Sequence, residues 1–234
     1  MKRLCLSLLL AVTSLATLAA TKARDDNFTV GVELYSEDHY SAAAEAFQKS
    51  ADTGNPEAQF NLGLMYLNGQ GVAQDYRQAF SLFTESAEQG NARAQVNLAR
   101  MHAKGKGVVA NYGKAIPWFT KAADQGYADA QYSLGVLYVS GTGTPRDYRL
   151  ARELLQKAAD QNNASAQYQL GLIYFKGKGV AVNMVEALKW IILAGDYDEA
   201  VSYRRYAEPK MSQDQISEAK NLADEWVPGQ TENP

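Results

Sequence analysis

The sequence predicts an all-α fold built from four copies of a 36-residue helical repeat. The dipeptide Ala-Gln recurs every 36 residues, and apolar residues around it recur at the three-to-four-residue spacing of a helix face. A Gly-x-Gly triplet follows each dipeptide at constant phase, and its glycines are Gly69/Gly71, Gly105/Gly107, Gly141/Gly143 and Gly177/Gly179. A constant period of this length is typical of a solenoid, in which stacked repeats bury one continuous core.

Each repeat reads as a first helix, a glycine turn and a second helix. Glycine ends a helix readily because it enters the left-handed region without a Cβ penalty. A capping residue follows each glycine pair and precedes the second helix, and the four capping residues are Asp75, Asn111, Asp147 and Asn183. A Gly-x-Gly loop beside a helix also occurs at phosphate sites, but four copies in register favour a structural turn over a nucleotide loop.

The helix faces also repeat. On the first helices the predicted core positions are Leu62, Leu98, Leu134 and Leu170, followed by Met65, Met101, Leu137 and Ile173. On the second helices they are Ala79, Ala115, Ala151 and Ala187, followed by Phe83, Phe119, Leu155 and Ile191. Small residues at Gly63, Ala99, Gly135 and Gly171 allow the two helices of each repeat to approach closely.

The repeats predict the organisation of the chain. We assign them to residues 56–91, 92–127, 128–163 and 164–199. Residues 21–55 form an incomplete N-terminal repeat, since Tyr40 and Phe47 match Tyr76 and Phe83 of the first full repeat. Residues 200–226 form capping helices, one of which begins with a capping box of Ser212 and Gln215. Residues 227–234 form a disordered tail.

Residues 1–20 have the pattern of a cleavable secretory signal peptide. Lys2 and Arg3 precede an apolar run that ends in small residues, with cleavage expected after Ala19 or Ala20 and Ala23 as the alternative. Cys5, the single cysteine, lies inside this segment and too near the start to be a lipidation site. We therefore expect a periplasmic or secreted protein with no disulfide and no stable membrane span after cleavage.

Charge and composition exclude several classes of partner. The formal net charge is −3, and it becomes −5 when Lys2 and Arg3 are removed. Nucleic acid is therefore an unsuitable partner, because binding to phosphates needs clustered Lys and Arg. The only histidines are His39 and His102, so no multi-histidine metal site and no cofactor are predicted. His102 replaces a repeat tyrosine, which favours a packing role over that of a catalytic base.

The four units share the pattern A-x-x-x-L-G-x-x-Y, followed by G-x-G-V and then by Asp or Asn before a second helix with a small Ala-Ala pair. This pattern resembles the Sel-like repeat (SLR). This family is related to the tetratricopeptide repeat. The resemblance extends from about Tyr40 to Glu199, with departures at Ala99, His102 and the end of the fourth repeat. It implies a right-handed α-solenoid of antiparallel helix pairs that acts as an adaptor between proteins. Some secreted relatives carry cysteines and are linked to penicillin binding or hydrolysis, an activity not transferred to this chain because its mature part has no cysteine.

In such a superhelix the first helices line the concave face. Residues on these helices that the core does not use are the predicted peptide-binding groove: Asn61, Leu64, Arg93, Asn97, Arg100, Lys104, Ser133 and Gln169. The basic residues at 93, 100 and 104 suit a carboxylate, while the asparagines suit the main chain of an extended peptide. A solvated helix face without a ligand is the alternative. The tyrosines and tryptophans follow the repeat phase, which favours packing over a sugar-binding platform.

We consider three functions. The favoured one is an exported scaffold that binds a protein or peptide of the bacterial cell envelope through the groove. The second is an enzyme that acts on cell-wall material, although the sequence offers no catalytic residues for it. The third is a structural subunit of an envelope complex, such as one for polysaccharide export, that binds through its edges.

Overall fold

The computed structural model describes residues 26–228, and every regular element in that range is helical. The predicted signal peptide at residues 1–20 lies outside the described residues, as do residues 21–25 and residues 229–234 of the predicted tail. Helix α1 occupies residues 26–36. The α-helices that follow are α2 Tyr40–Asp52, α3 Pro56–Asn68, α4 Tyr76–Glu88, α5 Ala92–Lys104, α6 Tyr112–Asp124, α7 Ala128–Ser140, α8 Tyr148–Ala159, α9 Ala164–Lys176, α10 Met184–Leu193, α11 Asp198–Ala207 and α12 Gln213–Asp224. A short 3₁₀-helix, Glu208–Lys210, lies between the last two.

These helices form two compact units, one ending at Ala110 and the other beginning at Asn111. In the first unit, α2 packs against α3, α3 against α4, and α4 against α5. In the second, each of the helices α6 to α10 packs against the next, and both α11 and α12 pack against α10. Neighbours in sequence are thus neighbours in space, as expected for stacked helical hairpins.

The predicted caps of the second helices are confirmed. Asp75 accepts hydrogen bonds from the backbone N–H groups of Arg77 and Gln78, and the other three capping side chains each accept from the N–H three residues on. Asn55, Asn91 and Asn163 cap first helices in the same way, whereas Tyr127 occupies that position without a side-chain cap. Each cap satisfies donors that have no partner within the helix.

The glycine pairs have two structural roles. The first glycine of each pair is the left-handed C-cap of a first helix; at Gly69 the φ angle is 70° and the N–H bonds to the carbonyl of Met65. The second glycine lies against the start of the second helix in the preceding repeat. A Cβ on Gly107 would lie 2.7 Å from the carbonyl carbon of Tyr76, so that position has no room for any side chain. The pairs recur because the first glycine takes the left-handed conformation that ends the first helix, and the second lies where no side chain fits.

The predicted core positions are buried. All four leucines of the first helices and all four alanines of the second helices are at most 4% exposed. Gly63 permits the close approach of α3 and α4, since a Cβ there would lie 2.8 Å from the ring of Phe83. Phe83 is itself fully buried, so the two helices of the repeat share one packed interface.

Both ends of the described chain carry additional helices. Phe28 of α1 packs on Phe47 of α2, with ring centroids 5.9 Å apart. Helix α12 begins with the predicted capping box and buries Ile216 and Ala219 beside Leu188 of α10. Within residues 26–228, no helix combines the length and the apolar character needed to span a membrane.

The fourth repeat departs from the predicted boundary of 199. Its second helix, α10, has 10 residues, whereas α8 has 12 and α4 has 13. As a result α11 begins at Asp198, and both Asp198 and Glu199 belong to this next helix.

Candidate binding face on the first helices

Six of the eight predicted groove residues lie in the first unit. Asn61 and Leu64 are three residues apart on α3, and both are partly buried. On α5 the residues Arg93, Asn97, Arg100 and Lys104 follow one another at intervals of four, three and four residues. That spacing places them along one stripe of the helix. Arg93 and Lys104 are exposed at the two ends of the stripe, and the residues between them are partly buried.

Arg93 already has a carboxylate partner. Its guanidinium forms an ion pair with Glu57 of α3 and lies 4.5 Å from the centroid of the Phe60 ring. Asn91, the N-cap of α5, donates a second hydrogen bond to the Glu57 carboxylate at 2.8 Å. The positive charge predicted at position 93 is therefore compensated within the protein, and any acidic ligand would have to compete with Glu57.

Asn97 is also engaged within the protein. Its side-chain nitrogen donates to the carbonyl of Arg93, one turn earlier on α5, at 3.0 Å. Lys104, at the C-terminal end of the stripe, has an exposed side chain.

The remaining two predicted residues lie in the second unit. Ser133 on α7 donates its hydroxyl to the carbonyl of Asp129 at 2.7 Å, which is a bond within its own helix. Gln169 is partly buried on α9. The predicted groove thus consists of the α5 stripe and two uncharged residues of α3 in the first unit, and of two uncharged residues in the second unit.

Sequence analysis missed a pocket in the second unit. We call it the tyrosine pocket; it has a volume of about 310 Å³ and is lined by Tyr168, Asp198, Glu199, Ser202, Tyr203 and Tyr206. Its sequence signal is the segment DYDEAVSYRRY at residues 196–206, which carries three tyrosines just after the repeats end. The predicted organisation places residues 196–199 in the fourth repeat and residues 200–206 in the C-terminal cap, and it gives this segment no binding role.

The rings of this pocket form a continuous cluster. The centroid of Tyr203 lies 6.3 Å from that of Tyr168, 5.8 Å from that of Tyr206 and 5.1 Å from that of Phe175. Lys210 places its ammonium 3.3 Å from the centroid of the Tyr206 ring. The arrangement offers aromatic faces beside two carboxylates.

Burial and neighbouring charge change the acidity of these phenols. Burial raises the pKa of Tyr203 well above its ordinary value, with smaller contributions from the neighbouring Tyr206 and Tyr168. Burial also raises the pKa of Tyr168, and Glu199 and Tyr197 act in the same direction. Both phenols therefore stay neutral at physiological pH and can donate or accept hydrogen bonds.

The repeated glutamine has a structural role that sequence analysis used only for alignment. Gln95, Gln131 and Gln167 are buried, and each donates its side-chain amide to a backbone carbonyl eight residues earlier, at 3.1 to 3.3 Å. These bonds join each first helix to the turn before it and satisfy carbonyls at the end of the preceding second helix.

Two other expectations concern chemistry. His102 is buried, and its ring meets that of Phe80 edge-on with centroids 5.1 Å apart, as expected for a packing residue. Among residues 26–228, no group of three or more His, Cys, Asp or Glu side chains is placed to hold a metal ion.

Comparison with known proteins places this architecture in a family. The Sel1 repeat model matches residues 56–91, 92–127, 128–163 and 164–196. Its last match ends just before α11 begins. A comparison with curated proteins gave no match.

Solved structures agree with the family match. The chain is 34% identical to a protective antigen of uropathogenic Escherichia coli strains that displays an SLR fold, with a TM-score of 0.80 over 86% of this chain. It spans 44% of that antigen's length. It is 30% identical to a Sel1 repeat protein from Oxalobacter formigenes, with a TM-score of 0.75, covering 85% of this chain and 82% of the other. The chain is an α-solenoid of repeats of about 36 residues and belongs to the Sel1 repeat family.

Proposed function

We propose that this chain is a scaffold of the bacterial cell envelope that binds a segment of a partner protein along the first helices of its repeats. Sel1 repeat proteins are generally scaffolds for protein–protein interaction without enzymatic activity. The proposal adds the location, the binding face and the kind of ligand, and it assigns the chain a binding role and no catalytic one.

The α5 stripe carries the proposal. The buried residues of α5 include no Arg and no Lys, so packing of the core does not require the basic side chains on the rest of this helix. Three cations and one amide nevertheless lie along one face of it, at Arg93, Asn97, Arg100 and Lys104. A row of this kind suits the carboxylates and main-chain groups of an extended acidic segment.

Export is supported by the first residues of the sequence. Lys2, Arg3 and the apolar run after them have the composition of a signal peptide, and residues 6–234 contain no cysteine. In fractionated cells of the natural host we expect the protein outside the cytoplasm, with a mature N-terminus at Ala20 or Thr21. An intact N-terminus on cytoplasmic protein would contradict export while leaving the binding face untested.

Site-specific photo-crosslinking tests the binding face directly. We would place benzoylphenylalanine at Asn61 or Lys104, on the first helices, and at Glu88 as the matched control on the exposed side of α4. Crosslinks to a common partner from positions 61 and 104, but not from 88, would support the proposal. Crosslinks from position 88 alone would place binding on the second helices and refute it.

A charge-reversal variant tests whether the basic residues of the α5 stripe attract an acidic segment of the partner. Replacing Arg100 and Lys104 by Glu puts two negative charges where an acidic segment would lie, so we expect the crosslink from position 61 to be lost. Glu45→Lys with Glu88→Lys, at exposed positions of the second helices α2 and α4, reverses two charges away from the stripe and should leave the crosslink unchanged. Equal crosslinking by all three proteins would rule out recognition by this stripe.

A further inference from the structure

Helix α11 repeats the register of a first helix. Ala166 of α9 and Ala200 of α11 are both fully buried and stand 34 residues apart, two fewer than the repeat period. The two-residue difference matches the shorter α10, which has 10 residues where α8 has 12. With the same offset of 34 residues, Tyr203 of α11 is equivalent to Gln169 of α9.

Helix α11 is therefore equivalent to a first helix, and the tyrosine pocket lies at those of its positions that match the predicted groove. Tyr203 corresponds to Gln169 and to Ser133 in the earlier repeats, and Tyr206 corresponds to Leu172. Glu199 takes the position that Ser165 has on α9. The Tyr203 position is polar in all four regular repeats, where it holds Asn61, Asn97, Ser133 and Gln169, and it is aromatic here.

The lining of the pocket favours a cation. Asp198 and Glu199 are exposed carboxylates in the first turn of α11. Tyrosine rings present a negative π face that attracts cations. Lys210 already lies over the Tyr206 ring at 3.3 Å from its centroid, so this cluster accepts a cation within the protein itself. An anionic ligand would meet two carboxylates and is disfavoured.

The aromatic faces of the pocket specify the ligand further. A guanidinium can stack on an aromatic face while its N–H groups bond to a carboxylate. Lysine presents a compact ammonium without a planar face. A volume of about 310 Å³ suits one side chain rather than a folded element.

We propose that the tyrosine pocket receives an arginine side chain of the partner segment. The inference rests on the proposed function, since it assigns the partner one basic anchor in addition to the acidic stretch that meets α5. Tyr168, Tyr203 and Tyr206 stack against the guanidinium, and the carboxylates of Asp198 and Glu199 accept its hydrogen bonds.

The test is an NMR titration of the full chain with acetyl-Gly-Gly-Arg-Gly-Gly-amide. The matched probe replaces arginine by citrulline, which keeps the shape and removes the charge. We expect the tyrosine ring protons to shift with the arginine peptide and the affinity for the citrulline peptide to be at least about tenfold lower, as for loss of a charge-assisted bond to a partly desolvated site. Equal binding of both peptides, or stronger binding of a neutral cello-oligosaccharide, would overturn the proposal.

Variants assign the site. Asp198→Asn with Glu199→Gln should weaken arginine binding about tenfold, whereas Asp214→Asn with Glu218→Gln on α12 is the matched control and should not change it. Tyr206 is 53% exposed, so Tyr206→Ala tests the ring with little risk to the fold. Tyr206→Ala should weaken binding and Tyr206→Phe should retain it. Unchanged binding in both the Asp198/Glu199 variant and Tyr206→Ala would overturn the proposal.

The two proposals can fail separately. The crosslinks from positions 61 and 104 lie in the first unit and do not require the tyrosine pocket. If those crosslinks form but the arginine peptide causes no shift at any concentration, the pocket proposal fails alone. If the peptide binds and the crosslinks are absent, the pocket is supported and the basic stripe is not the partner site.

Discussion

Gly71 and Gly90 both have positive φ angles, 69° and 93°, but their surroundings differ. A Cβ on Gly71 would collide with the backbone carbonyl of Tyr40, whereas nothing lies within 4 Å of a Cβ on Gly90. The pair separates two costs of replacing glycine: the left-handed backbone conformation and the close contact between repeats.

We expect Gly71→Ala to lower the free energy of unfolding by about 3 kcal/mol, of which the left-handed conformation accounts for about 1. Gly90→Ala is the matched control and should cost only about 1 kcal/mol. Urea unfolding followed by circular dichroism measures both. Equal losses would mean that the repeat contact at Gly71 contributes nothing to stability.

Glu57 and Arg93 form a pair whose side chains are 43% and 47% exposed. Removing it with Glu57→Gln should therefore lower stability by less than about 1 kcal/mol. The same change leaves Arg93 without its carboxylate, so the crosslink from position 104 to an acidic partner should become stronger. A weaker crosslink would show that Glu57, and not Arg93, contacts the partner.

The raised pKa of Tyr203 predicts that the protein loses stability at alkaline pH. Its folded pKa lies above the unfolded value, so its contribution is constant below about pH 10 and falls as pH rises through that value, where only the unfolded chain ionises. The thermal midpoint of the second unit should drop above pH 10, and less so in Tyr203→Phe. An identical pH dependence in both proteins would contradict this assignment.

At the scale of elements, each helix is stabilised mainly by packing against its neighbours. Ile216 of α12 packs beside Leu188 of α10. Helix α3 lies in the other compact unit. In a repeat array, a change at one end should therefore be felt chiefly by adjacent helices.

Ile216→Ala should accordingly raise amide exchange rates in α10 while leaving those in α3 unchanged, with a loss of about 2 kcal/mol for the truncated aliphatic side chain. Lys220→Ala, on the exposed side of α12, is the control and should alter neither helix. Equal acceleration in α3 would indicate that the array unfolds as one cooperative body.

At the scale of the whole molecule, the repeats should be removable as complete periods. Deleting residues 128–163 would bring Gly179 to the start of α6 in place of the start of α8, and both helices begin with tyrosine. We expect that variant to remain helical with a somewhat lower unfolding midpoint. Deleting residues 124–155 instead joins α6 to the last turn of α8 and leaves four extra residues inside the fused helix, so that protein should lose its cooperative transition; equal behaviour of the two would refute the argument.

The sequence predicts the repeats, their caps and the core because packing imposes the same residue types four times. Leu62, Ala79 and Asp75 could be assigned in this way, since each has three counterparts at the same phase. The pairing of Glu57 with Arg93 could not, because it joins positions whose residues differ from repeat to repeat. The tyrosine pocket was missed for another reason: it depends on the shortened α10, and no period reveals a shortened helix.

The contact between each second glycine and the preceding second helix also limits how such a chain can change in length during evolution. A single-residue insertion in the intervening helices would displace a glycine from the only position where it fits, so length should change in whole duplications. The spacing departs from the period only after the last Gly-x-Gly pair, where α10 is two residues shorter than α8, and residues 200–226 contain no glycine. The C-terminal segment can therefore change in sequence and length without disturbing the contacts between repeats, and it contributes most of the residues of the tyrosine pocket.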